Sequence, residues 1–356
     1  MKILNLEDYG LPTGVLESLE SASDCIPARV VAVHRERYEL VCEHGQISGR
    51  LKASTYYADY AEDFPTTGDY VLINYNPTGE SPIVKTLPRT SFFSRRDPDK
   101  GRGEQAVAAN FDYVFIMQSL NQDFNLKRLE RYITSAWQSG ATPVLVFTKA
   151  DLVEDFHEHI EAASDIAFGV DIHAVSAVDG TGIEALASYL QPRKTVVFLG
   201  SSGVGKSSLV NRLAGKDIMD VQEIREDDDK GRHTTTHRQL VMLENGAMII
   251  DTPGMRQLGM WSVNSGLGEA FSDVERYFTS CRFSDCQHRA EPGCAVKEAL
   301  ETGELSWERW ESYLRLQREA KYADDKEAYM QLQRQRAKSL SKWSKQRSKS
   351  GGAAKW

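Results

Sequence analysis

The chain has 356 residues, enough for two or three domains, and at 41% hydrophobic and 26% charged it has the composition of a folded soluble protein, not a disordered or fibrous one. No apolar run approaches the roughly 20 residues needed to cross a bilayer, and the start, MKILNLEDYGLPTG, lacks a basic region leading into an apolar segment, so a cytoplasmic location and no membrane partner are expected. Net charge is −8, and an odd count of five cysteines argues against a disulfide framework.

Residues 1–27 form an N-terminal extension without a motif. From 28 to 90, ARVVAVHRERYELVCEHG alternates and ends in a turn, and GDYVLINYN and PIVKTLPR follow. Short strands at this spacing predict a small β-barrel, with an OB-fold and an SH3-like barrel both open. Tyr56, Tyr57 and Phe64 are candidate platforms for stacked bases, although such aromatics more commonly fill a core. RTSFFSRRDPDKGRGEQ is polar and contains glycine, so 91–110 reads as a linker.

From 111 to 262 the pattern changes. FDYVFIMQ, TPVLVFTK, VDIHAVSA, KTVVFLGS and GAMIIDTPG each end an apolar run in a polar or Gly-rich loop, with amphipathic segments such as LKRLERYITSAWQSG between them. That alternation predicts an α/β domain with parallel strands and crossover helices, whose ligands bind at the carboxyl ends of the strands.

The candidate motifs sit at those ends. In TKAD (Thr148, Lys149, Ala150, Asp151) the Asp151 carboxylate can accept guanine N1–H and N2–H₂ together, and adenine would leave it unpaired. Lys149 can lie along the base, and Thr148, where asparagine is usual, can brace the loop with its hydroxyl. Ser176-Ala177, in VSAVDGTG, can offer backbone to the guanine O6.

GSSGVGKSS follows at 200–208: Gly200, Ser201, Ser202, Gly203, Val204, Gly205, Lys206, Ser207 and Ser208. Glycines let backbone N–H groups curl around a phosphate at a helix N-terminus, Lys206 reaches the β- and γ-phosphates, and Ser207 can ligate Mg²⁺. In DTPGM, Asp251 can hold the Mg²⁺ shell and the Gly254 N–H can sense the γ-phosphate. The next residue, often a water-orienting glutamine in GTPases, is Met255, so the nucleophile needs another partner. GRHTTTH (231–237) offers Thr235 to close over Mg²⁺ and His233 to polarise or deprotonate the water. EDDDK (226–230) reads as a solvated acidic run.

Residues 263–330 read as a helical, metal-binding domain. CRFSDCQHRAEPGC spaces Cys281, Cys286, His288 and Cys294 as C-x4-C-x-H-x5-C, three thiolates and an imidazole suited to one structural Zn²⁺. Residues 331–356 contain eight Lys/Arg and no Asp/Glu, a basic tail on an acidic body, read equally as a polyanion contact or a solvated tail.

The base-reading TKAD thus precedes the phosphate loop, the reverse of an ordinary GTPase. With SAVDGTG, GSSGVGKSSL, GRHTTTH, DTPGM and CRFSDCQHRAEPGCAVKEAL in that order, residues 28–320 closely resemble the circularly permuted, ribosome small-subunit-dependent GTPase A family. The resemblance implies an N-terminal OB-fold, a permuted P-loop GTPase domain and a C-terminal zinc domain. It also implies late maturation of the small ribosomal subunit, with GTP hydrolysis stimulated by that subunit; contact with its rRNA and release after hydrolysis are expected. In the family the histidine of the HTTT stretch, here His233, is implicated in hydrolysis, and a hydrophobic residue follows DxxG, as Met255 does. A monomer that cycles between GTP and GDP is expected. The rival readings are a P-loop ATPase and a zinc-containing RNA-binding module with a vestigial nucleotide site.

Overall fold

A computed structural model describes residues 5–11, 25–34, 37–51, 64–96, 104–120, 124–219, 238–251, 264–289 and 291–321. The chain divides into two compact units, Met1–Gly259 and Met260–Trp356.

The first unit opens with five strands: β1 (Ile26–His34), β2 (Arg37–Cys42), β3 (Gly45–Leu51), β4 (Tyr70–Ile73) and β5 (Ser81–Thr86). Alternate residues point inward, Ala28 and Val30, Tyr38, Leu40 and Cys42, Val71 and Ile73, and meet Leu51 and Ile83 in one core. β1 pairs with both β2 and β4, while β3 runs parallel to β5, so the sheet closes in the order β1-β2-β3-β5-β4. A parallel β3–β5 pair in a five-strand closed barrel is OB-fold order, which settles the alternative that the strand spacing leaves open. Phe64 packs against this core and is not an open stacking platform; Tyr56 and Tyr57 lie outside the described residues.

Part of the expected linker is ordered sheet. β6 (Phe92–Arg96) and β7 (Glu104–Ala109) pair antiparallel. Phe93 and residues 106–109 are buried, and the Phe93 ring stacks on Phe111 at 4.9 Å. The hairpin hides in the sequence because neither strand, FFSRR nor EQAVAA, alternates apolar with polar residues, and the second is half alanine.

The α/β half then runs β8 (Tyr113–Ser119), α1 (Leu126–Gln138), β9 (Thr142–Thr148), α2 (His157–Ser164), β10 (Asp171–Ala174), β11 (Thr195–Gly200), α3 (Lys206–Ala214), β12 (Gln239–Met242) and β13 (Met248–Asp251). Strand order is β10-β9-β8-β11-β13-β12, with the first five parallel and β12 antiparallel at the end. The five parallel strands are the five apolar runs of the sequence. β12 is the addition, joined to β13 through Asn245-Gly246, whose glycine has φ 84°, a turn chemistry that signals a hairpin. The chain leaves β8 toward β10 on one side, then returns at β11 to build outward on the other. The switch point therefore lies between β8 and β11, where such sheets open a crevice beyond their carboxyl ends.

Barrel and sheet meet over a buried guanidinium. Arg29 of β1 is fully buried and donates to the carbonyls of Gly68 (3.3 Å), Asn110 (2.9 Å) and Tyr9, to Thr195 Oγ1 (3.0 Å) and to Met248 Sδ (3.2 Å). It thereby ties the barrel to the starts of β11 and β13. The N-terminal extension takes part: Leu6 and Leu11 pack with Tyr70 and Leu87, and the Tyr9 carbonyl accepts from both Arg29 and Tyr70.

The second unit contains α4 (Asn264–Ala270), α5 (Ser272–Glu275), α6 (Ala295–Thr302) and α7 over 307–321. Arg309 of α7 binds Asp273 through both carboxylate oxygens (2.8 and 3.0 Å) and covers the Phe271 ring at 3.9 Å. This bidentate, stacked geometry is one that lysine cannot reproduce. Among the described residues no helix is long and apolar enough to cross a membrane.

Candidate functional site

The loops separated in sequence meet at the carboxyl ends of β8, β9, β10 and β11. β11 delivers Gly200 at the rim, packed so closely that a Cβ there would lie 2.7 Å from the Met117 carbonyl. Gly203 and Gly205 take φ 75° and 95°, left-handed values that a side chain disfavours, and α3 starts at Lys206. Val204 is buried while Ser202 and Gly203 are exposed; Ser201, Lys206, Ser207 and Ser208 are half-buried. The result is a Gly-turned loop feeding a helix N-terminus, an arrangement that presents N–H groups to an anion.

The TKAD loop is braced against it. Thr148, at the end of β9, donates its hydroxyl to the Val204 carbonyl at 2.5 Å. This is the bracing expected of the hydroxyl in place of asparagine. Lys149 has φ 60°, which turns the chain so that Ala150 N–H donates to the Val175 carbonyl at 3.2 Å and Asp151 stands exposed. The Ser176 hydroxyl accepts from the N–H groups of Val178 (3.2 Å) and Asp179 (3.3 Å), so its side chain shapes its own loop, leaving half-buried Ala177 beside it. Gly182 closes that loop; a Cβ there would lie 2.1 Å from the Ala174 carbonyl.

Lys206 Nζ lies 2.9 Å from Asp251 Oδ1, at the end of β13. The contact rests on charge and proximity, not on an aligned hydrogen bond. An ammonium and a carboxylate at the mouth of a phosphate cradle are the two charges that a Mg²⁺-bound polyphosphate requires. Gly254, Met255, His233 and Thr235 lie outside the described residues.

One contributor escapes motif reading. Buried Asn211, in the middle of α3, accepts from the N–H groups of Ile218 (3.0 Å) and Met219 (2.8 Å) and donates to the Met219 carbonyl (2.8 Å). It fixes the chain just before residue 220. An asparagine on a buried helix face is the signal that would have found it.

Removing the Thr148 brace gives a direct test. Thr148→Val leaves the Val204 carbonyl without this hydroxyl, a loss of about 1–2 kcal/mol. We expect nucleotide to bind roughly tenfold more weakly. Titration with a fluorescent GDP measures this, and an unchanged affinity would mean that the two loops are held together otherwise.

In the second unit, Cys281, Cys286, His288 and Cys294 bring their ligand atoms within 4.8 Å of one another. Cys281 Sγ and Cys294 Sγ each lie 3.5 Å from His288 Nδ1, and 4.0 Å from each other. A tetrahedral zinc with Zn–S near 2.3 Å needs sulfurs roughly 3.8 Å apart, so the donors fit such an ion. His288 holds φ 58° and its ring stacks on Phe278 at 4.3 Å, with Trp310 edge-on at 5.9 Å. Burial lowers the His288 pKa, which favours the neutral, ligating imidazole. Desolvation, with the adjacent sulfurs, pushes the Cys286 thiol up to about 11. Three thiols so close resist becoming thiolates together unless a cation joins them. Cys25 and Cys42 take no part: Cys42 sits in the barrel core and Cys25 contacts Asn74 Oδ1 at 3.0 Å.

Comparison with known proteins gives a consistent result. A family model described as RsgA GTPase matches residues 86–261. A Listeria monocytogenes protein named small ribosomal subunit biogenesis GTPase RsgA 1 is 47% identical over 317 residues, covering 89% of this chain and 90% of that one. The crystal structure of YjeQ from Thermotoga maritima superposes with a TM-score of 0.63 at 27% identity, over 83% of this chain and 98% of that one. YloQ, described as a circularly permuted GTPase, shares the fold with a TM-score of 0.60 at 24% identity, over 83% of this chain and 95% of that one.

Proposed function

The chain belongs to the RsgA GTPase family, and from that premise we propose that it hydrolyses GTP in the biogenesis of the small ribosomal subunit. The observation that carries the reading is the meeting of a base-reading loop and a phosphate loop through Thr148 and Val204, although they occur in permuted order. Thr148, Lys149, Ala150 and Asp151, with Ser176 and Ala177, hold the guanine. Residues 200–208 hold the phosphates by backbone N–H groups, with Lys206 neutralising them. Mg²⁺ held by Ser207, Thr235 and Asp251 would supply further charge neutralisation at the phosphates. His233 takes the place of the missing glutamine and orients or deprotonates the attacking water. The Gly254 N–H senses the γ-phosphate, so nucleotide state is read at the segment leading toward the second unit.

Zn²⁺ is the ion best suited to the three thiols and imidazole, where it would staple a small helical unit. That unit, the basic tail and the OB barrel are the surfaces offered to ribosomal RNA. Tail contacts with phosphate weaken with salt because they release counterions.

The test is GTPase activity with and without isolated small subunits. The protein should be accelerated by subunits, and ATP should not compete for the site. His233→Ala should cut the stimulated rate at least about 100-fold while GTP still binds. An unchanged stimulated rate in the variant would remove His233 from hydrolysis, and no stimulation of the parent protein would reject the function.

A further inference from the structure

Asp251 is the last residue of β13, and the sheet holds it from one side. Pairing of β13 with β11 runs through Met248, Ile249 and Ile250 and stops there among the described residues. Pairing with β12 continues one residue further, to Asp251, whose partner is Gln239. Gln239 is the first residue of β12, and a strand end frays unless contacts outside the ladder secure it. Those contacts come from the barrel and the hairpin. On its other edge Gln239 pairs with Ala32 of β1.

Arg238, just ahead of it, is clamped twice. The Thr67 hydroxyl donates to its carbonyl at 3.2 Å, and its guanidinium donates to the Ala106 carbonyl of β7 at 2.7 Å. Thr67 lies in the turn Thr66–Asp69 between β3 and β4, which is buried although polar. That turn is locked to the barrel: Val30 N–H donates to the Asp69 carbonyl (2.8 Å), Gly68 N–H donates to the Val30 carbonyl (2.9 Å), and Arg89 binds both Asp69 carboxylate oxygens at 2.8 Å. The same turn presses on β13, since a Cβ on Gly68 would lie 2.9 Å from Ile250 Cδ1, one residue before Asp251. The path therefore starts in the barrel and ends at the phosphate cradle, where Asp251 Oδ1 lies 2.9 Å from Lys206 Nζ. This oxygen is buried without an aligned hydrogen bond, which suits it to the shell of a cation.

We propose that Arg238 is a positioning residue for Asp251. Fixed by Thr67 and by the Ala106 carbonyl, it keeps Gln239 in register and so holds the Asp251 carboxylate in place for Mg²⁺ and its waters. Mg²⁺ demands near-ideal octahedral geometry, so a loosened carboxylate costs affinity for the ion before it costs phosphate contacts. The barrel thereby sets the Mg²⁺ dependence of nucleotide binding, while the backbone of residues 200–208 binds phosphate without it. This rests on the function proposed above, in which Asp251 serves Mg²⁺.

The experiment follows binding of a fluorescent, non-hydrolysable GTP analogue as Mg²⁺ is added to Mg²⁺-free protein, for the parent, Arg238→Ala, Arg238→Lys, Thr67→Val and Asp251→Asn. Arg238→Ala and Thr67→Val each remove one hydrogen bond of the clamp and should raise the Mg²⁺ midpoint about fivefold, with Mg²⁺-free affinity unchanged. Arg238→Lys keeps a donor for the Ala106 carbonyl and should restore the parent midpoint. Asp251→Asn removes the carboxylate itself and should raise the midpoint further than either. If Arg238→Ala does not fold, Thr67→Val carries the test. An unchanged midpoint in the folded clamp variants, with Asp251→Asn shifted, overturns the positioning role alone. Equal loss of affinity with and without Mg²⁺ overturns it too, because general damage to the site would do the same. An unchanged midpoint in Asp251→Asn overturns the assignment of Asp251 to Mg²⁺, and the positioning role with it.

Discussion

Asp151→Asn is expected to weaken GTP binding by about a thousandfold. In the proposed mode of binding the carboxylate accepts two guanine N–H groups at once, and the amide turns one acceptor into a donor facing a donor. Losing a charged hydrogen bond and leaving polar groups opposed costs about 4 kcal/mol, or close to three decades in affinity. The signature is specific. Xanthosine triphosphate carries a carbonyl where guanine has its amino group, so it should bind the variant better than the parent protein. Asp151 is exposed, so thermal melting should hardly change. Calorimetric titration with both nucleotides decides the matter; equal GTP affinity in parent and variant would mean that the base is read elsewhere.

The second large effect concerns the cysteine cluster. Three of the second unit's helices, α4, α5 and α6, have seven, four and eight residues, too short to be stable by themselves. Structural zinc in small domains contributes on the order of 10 kcal/mol. Cys286→Ala should therefore lose one equivalent of zinc by metal analysis and melt the second unit. A strong chelator should do the same to the parent protein, and added zinc should reverse it. The aromatic set around His288 provides a local readout: Trp310 lies 5.9 Å from the imidazole and stacks on Tyr313 at 5.6 Å. Its fluorescence should change as metal leaves. Retention of the ion by the variant, with an unaltered melt, would reject the assignment.

Much of the site was legible because its chemistry is local. Gly200, Gly203 and Gly205 are written into one nine-residue loop, and the donors at 281–294 lie within fourteen residues. Thr148 is readable as a brace because it stands where a bracing asparagine is usual, and its hydroxyl donates to the Val204 carbonyl. Ser176 was less legible: a serine offered to a base and one that ties its own loop look the same in sequence.

By itself the sequence determined the succession of elements, the permuted order of the motifs, the five parallel strands and the set of metal donors. Each depends on periodicity or on chemistry within a few neighbouring residues, and neither needs a distant partner. Only the tertiary structure decided that the barrel closes in OB order, that β6 and β7 are a hairpin and not a linker, and that residues 5–11 pack against the barrel. It alone placed Arg29 under the sheet and Thr67 on Arg238. Arg29 meets Thr195 and Met248 across 166 and 219 residues, and Thr67 meets Arg238 across 171. No window on the sequence spans such pairs: an arginine or a threonine in an alternating strand or turn reads as a surface residue until another element arrives to bury it and accept its hydrogen bonds.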